Sequence, residues 1–82
     1  MDKILVTIYV ASIDREFDLL LPISKKVSDI LEYIQDSIVE LSDGNYEKKK
    51  TAYLYNSDGL IINSNNIVKY SGIKNGSKLC LL

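Results

Sequence analysis

Ile4, Val6, Ile8 and Val10 alternate along the start of the chain with Leu5, Thr7, Tyr9 and Ala11. Apolar residues at every second position, β-branched on one side, predict a half-buried strand. Ser12, Ile13, Asp14 and Arg15 form a break of turn length. Phe17, Leu19 and Leu21 then alternate with Asp18 and Leu20 as far as Pro22. Proline has no N–H for a ladder, so the second strand ends there. Two alternating runs across a short break predict an antiparallel hairpin.

After Pro22 the period changes. Val27, Ile30, Leu31, Ile34, Ile38 and Leu41 fall at steps of three or four and form one apolar helical stripe. Asp29, Glu32, Gln35, Asp36 and Glu40 fall mostly on the wet side. The pattern predicts a helix over residues 25–42, with Ser24 as its N-cap and Gly44 as a left-handed stop. Residues 45–50 read as a polar connection with three consecutive lysines. Residues 51–55 are strand-like and rich in aromatic side chains. Asn56, Ser57, Asp58 and Gly59 signal a turn, and Leu60, Ile61 and Ile62 a short strand. Residues 63–66 are a polar loop with room for one helical turn, 67–73 a linker, and 78–82 a last strand entered through Lys74, Asn75 and Gly76.

Strands and a single long helix must share one core, so the helix lies across one face of a mixed sheet. The simplest closure puts the last strand beside the first and parallel to it. The predicted fold is α+β of β-grasp type, with four to five strands in one domain spanning residues 1–82. At this length the chain holds one core, burying roughly 60% of its unfolded surface.

Composition narrows the function. Ten basic and eleven acidic side chains give a net charge of −1, without the clustered positive excess of a nucleic-acid binder. Cys80 is the sole cysteine and histidine is absent, so there is no internal disulfide, and the commonest general base near neutral pH is missing. Cys80 has no basic partner nearby in sequence and reads as a small apolar side chain. Asp14, Glu16 and Asp18 read as a solvated face and not as metal ligands. No catalytic residue, cofactor or metal is expected. The start Met1-Asp2-Lys3-Ile4 has neither the basic region nor the cleavage site of a signal peptide, and no apolar run is long enough for a bilayer, so the expected compartment is cytoplasmic.

Ile67-Val68-Lys69-Tyr70-Ser71-Gly72-Ile73-Lys74-Asn75-Gly76-Ser77-Lys78-Leu79 resembles the closing segment of ubiquitin: an aliphatic residue, a tyrosine three on, an isoleucine, a polar turn and a terminal strand. Val6-Thr7-Ile8 and Phe17-Asp18-Leu19-Leu20-Leu21-Pro22 are closer to a bacterial branch, the YukD/EsaB family of small ubiquitin-like proteins encoded with type VII (WXG100) secretion systems in Gram-positive bacteria. The resemblance runs nearly the whole length and departs from the family in the lysine-rich 45–50 connection. It implies a non-catalytic accessory protein that docks non-covalently on a membrane ATPase or another component of the apparatus. It also implies that the Tyr70 hydroxyl pins its loop to the backbone.

Ubiquitin-like modifiers and sulfur carriers end in Gly-Gly, whereas these residues end Lys78-Leu79-Cys80-Leu81-Leu82; conjugation is not expected. Residues 53–62 also have the outline of the acidic loop of PB1 domains, but Asn56, Asn63, Asn65 and Asn66 stand where carboxylates are needed, leaving Asp58 alone. The resemblance aligns Tyr53 and Tyr55 inward and Leu54 outward. With Leu79 and Leu81 in the core, Leu5, Tyr9, Leu54, Cys80 and Leu82 are expected to share the open sheet face as one protein-binding patch, with Leu20 at its margin. A second copy of the chain counts among the partners such a patch would take. Lys48, Lys49 and Lys50 read as a solvated loop, with an acidic partner as the functional alternative.

Overall fold

A computed structural model describes residues 2–82. Its elements run β1 (Lys3–Val10), β2 (Arg15–Pro22), α1 (Val27–Leu41), β3 (Leu54–Tyr55), a 3₁₀ turn (Val68–Tyr70) and β4 (Lys78–Leu81). Among the described residues the strands form one sheet in the order β2-β1-β4-β3. The hairpin β1–β2 is antiparallel with Ile4 opposite Leu21 and Ile8 opposite Phe17. β4 lies parallel to β1, with Ile8 opposite Leu79, and antiparallel to β3, with Leu54 opposite Leu81. This is the closure expected from the element order.

The strand alternation supplies one layer of the core. Val6, Ile8, Val10, Phe17, Leu19, Leu21, Leu54, Leu79 and Leu81 are buried, facing Val27, Ile30, Ile34 and Ile38 of α1. Leu41, the last residue of the expected stripe, is 53% exposed. It is also the last residue of α1, and the chain after it folds back over a different side of the helix.

That side carries Gln35 and Ser42, which are seven residues apart and so share one face. Both are buried, against expectation for Gln35, and so is Tyr46 in the 45–50 connection. Asp43 and Gly44 take left-handed φ values of 53° and 79°. Gly44 N–H donates to Val39 O at 2.9 Å, closing the helix by the expected glycine stop. The reversed chain then drops Tyr46 onto the helix. Its hydroxyl donates to Gln35 Oε1 at 2.8 Å, and Lys49 N–H donates to the same oxygen at 2.8 Å. Gln35 Nε2 donates in turn to Lys49 O at 3.3 Å. A polar side chain on an otherwise wet face is thus satisfied by the segment that buries it.

At the other end of α1 the cap is tertiary. The cap position is Lys26, extended and without a side-chain hydrogen bond, so Ser24 does not serve there. Val27 N–H donates to Asn66 O at 2.8 Å and Ser28 N–H to Ser64 O at 2.9 Å. The polar loop 63–66 therefore supplies carbonyls to helix donors that a side-chain cap would otherwise take. This pull explains why residues 60–62 form no full strand. Only an isolated bridge between Tyr55 and Ile61 remains before the chain leaves for α1.

Burial pushes the Tyr46 phenol above its ordinary value. The unfolded chain ionises near 10 while the fold resists, so this contribution to stability is whole below pH 10 and declines above it. Chemical denaturation across pH 9–12 should show a loss of stability that is smaller in Tyr46→Phe. An identical profile in the variant would mean that Tyr46 is not the group responsible.

Candidate functional site: the open sheet face

Residues opposite one another across a ladder project to the same side of a sheet. Leu81 is buried under α1, so its partner Leu54 is too, and Leu54 is 1% exposed. This corrects the expected placement of Leu54 on the open face. The error is one residue of register, and a slip of one exchanges every side chain between faces. Tyr55, opposite Cys80, takes the open side instead. Tyr53 and Leu82 exchange backbone hydrogen bonds of 2.8 and 2.9 Å one position further along, and both are exposed.

Cys80 is half-buried and stands opposite Tyr9 on one flank and Tyr55 on the other. Tyr9, Tyr55, Cys80 and Leu82 line a shallow depression of about 510 Å³. The Tyr9 hydroxyl donates to Asp14 Oδ1 at 2.6 Å, which fixes the ring against the hairpin turn. That bond to the carboxylate is the main cause of a raised Tyr9 pKa.

Leu5 and Leu20 face each other and are both exposed, but they stand apart from this cluster. Between them lies a polar row, where Thr7 donates to Asp18 Oδ1 at 2.7 Å and Lys78 stands opposite Thr7 on β4. The expected single patch of Leu5, Tyr9, Leu54, Cys80 and Leu82 is therefore an aromatic–aliphatic cluster at one end of the sheet and a leucine pair at the other. Alternation alone found Tyr9, Cys80 and Leu82. Tyr53 and Tyr55 were missed because nothing in the sequence marks the register of a two-residue strand.

Other expected roles come out differently. Tyr70 is 72% exposed, with the Lys69 ammonium 5.7 Å from its ring centroid, and its hydroxyl makes no hydrogen bond among the described residues. Ser71 holds that loop instead, donating to Val68 O at 2.7 Å and accepting from Ile73 N–H at 3.3 Å. A side chain that reaches only three residues back needs no distant partner, which leaves the tyrosine free to point outward. Asn56 and Asn63 serve local turns: Asn56 Oδ1 accepts from Asp58 and Leu60 N–H, and Asn63 Oδ1 from Asn65 N–H. Lys48 bridges Glu32 at 3.0 Å and Asp36 at 2.8 Å, and these carboxylates raise its pKa, Asp36 first. No helix among the described residues is long and apolar enough to cross a membrane.

The order β2-β1-β4-β3, with a parallel centre and one helix across it, is shared with solved structures. The fold is the ubiquitin-like β-grasp. The ubiquitin-like domain of the Mycobacterium tuberculosis type VII secretion protein EccD1 aligns over 100% of this chain and 99% of its own, with a TM-score of 0.78 at 18% identity. A chain of the ESX-5 inner membrane complex aligns over 100% of this chain and 21% of its own, with a TM-score of 0.73 at 17% identity. An Arabidopsis thaliana ubiquitin-like domain aligns over 100% of this chain and 78% of its own, with a TM-score of 0.70 at 24% identity. No family model and no curated protein matches the sequence. The ubiquitin-like β-grasp thus occurs both in type VII secretion components and outside them.

Proposed function

We propose that this chain is a non-catalytic ubiquitin-like accessory domain of a type VII-like secretion apparatus, of the YukD/EsaB kind, that binds protein partners non-covalently through its open sheet face. The observation that carries the binding reading is the cluster of Tyr9, Tyr55, Cys80 and Leu82 around one depression on the face opposite the helix. Aromatic side chains beside a concave apolar floor are what protein partners bury. Likeness to EccD ubiquitin-like domains supports the secretion setting.

The test is affinity capture of tagged protein from its native host, read on denaturing gels and by mass spectrometry. A secretion-system component should be recovered, should separate on denaturation, and should be lost from Cys80→Lys and Leu82→Glu variants that keep their native circular dichroism. Heavier species surviving denaturation would mean covalent attachment. Recovery unchanged by both substitutions would remove the open face from the interface.

A further inference from the structure

A second concave surface lies at the β3 edge of the sheet. It is a groove of about 580 Å³ between α1 and the segment leading into β3. Leu31, Leu54, Ile61 and Ile62 contribute to its lining, and Lys49 and Lys50 stand along its rim. Glu32 also lines it and shares Lys48 with Asp36. Lys49 and Lys50 form no ion pair among the described residues, so three lysines stand against two carboxylates and the rim keeps a net positive charge.

The backbone beside the groove is also unpaired. Tyr53 exchanges both its hydrogen bonds with residue 82, so alternation turns Ala52 and Leu54 away from β4. Leu54 O accepts from Ile62 N–H at 2.8 Å. One register step further the covering chain has left to cap α1, and Ala52 N–H and C=O bond to no group among the described residues. An uncovered edge next to an apolar trough is a template for one more extended segment.

We infer that this groove takes an extended peptide segment of a partner protein that alternates apolar and acidic residues. Its backbone pairs with the N–H and C=O of Ala52. Its apolar side chains enter the trough over Leu31 and Ile61, and its carboxylates meet Lys49 and Lys50. The site is separate from the open-face cluster and stands or falls without it.

The probe is a synthetic heptapeptide of alternating isoleucine and glutamate, titrated into ¹⁵N-labelled protein. Amide shifts should concentrate at Ala52, Leu54 and Ile61. The double variant Lys49→Glu/Lys50→Glu should bind about tenfold more weakly; it leaves the Gln35 contacts in place because those use the Lys49 backbone. A peptide N-methylated at alternate residues should lose binding through the missing edge hydrogen bonds. Absence of binding at millimolar peptide, shifts centred on Tyr9 and Cys80, or equal affinity for an isoleucine–lysine or an all-glutamate peptide would each overturn the proposal.

Discussion

Leu54→Ala should lower the unfolding free energy by about 3 kcal/mol, the range for a fully buried leucine that leaves a cavity. Leu82→Ala, one position past the Leu81 that stands opposite Leu54, should cost no more than about 1 kcal/mol, because that side chain is about half in water. Urea denaturation of the two variants beside the parent measures the difference directly. Its size matters because a domain this small has only about 5 kcal/mol to lose, so Leu54→Ala should unfold at a clearly lower urea concentration than the parent. Equal and mild effects would return Leu54 to the surface, and the pairing of β3 with β4 would have to shift by one residue. Leu54 is thus a test of register as much as of packing.

The second large effect belongs to Gln35. Gln35→Ala removes the acceptor shared by the Tyr46 hydroxyl and Lys49 N–H, and the donor to Lys49 O. Tyr46 is buried, so its hydroxyl is left without a partner away from water. Such groups cost about 1–3 kcal/mol each when abandoned. A total near 3 kcal/mol is expected, since Lys49 is exposed and water can answer for part of it. Tyr46→Phe, which removes a donor and leaves Gln35 with Lys49, should lose only about 1 kcal/mol. Hydrogen exchange gives a second readout: protection at Lys49, whose N–H donates to Gln35 Oε1, should vanish in Gln35→Ala while the β1–β2 amides keep theirs. If exchange at residues 45–50 is as fast in the parent as in the variant, the network does not order this segment.

The hairpin and the helix were legible because each is long enough for its period to repeat. Ile4 to Val10 and Phe17 to Leu21 fix their own faces by alternation, and Val27 to Ile38 fixes the buried side of α1. The placement of β4 beside β1 followed from the order of elements alone. What the sequence did not reveal depends on neighbours. Gln35 falls on the polar side of the stripe, and only the reversal at Asp43 and Gly44 brings Tyr46 back to bury it. Ser24 looked like a cap, yet the helix donors are met by carbonyls of residues 64 and 66, far along the chain. Two residues of β3 hold too little pattern to set their own register, so the inward face was assigned to Tyr53 and Tyr55 instead of Leu54. That one step rearranged the open face, adding the tyrosines and removing a leucine.

The parallel pairing of β1 with β4 has a consequence for how the chain is made. Ile8 and Leu79 are neighbours in the sheet, so the middle of the structure joins the two ends of the sequence. Contacts of such long span slow folding, because the intervening loop must close before they form. During synthesis the hairpin and helix emerge first, but β1 has only one of its two neighbours until residues 78–81 have left the ribosome. Through that interval the inner edge of β1 and the apolar sides of Ile8 and Ile34 wait for β4. The nascent chain is then most open to misassociation.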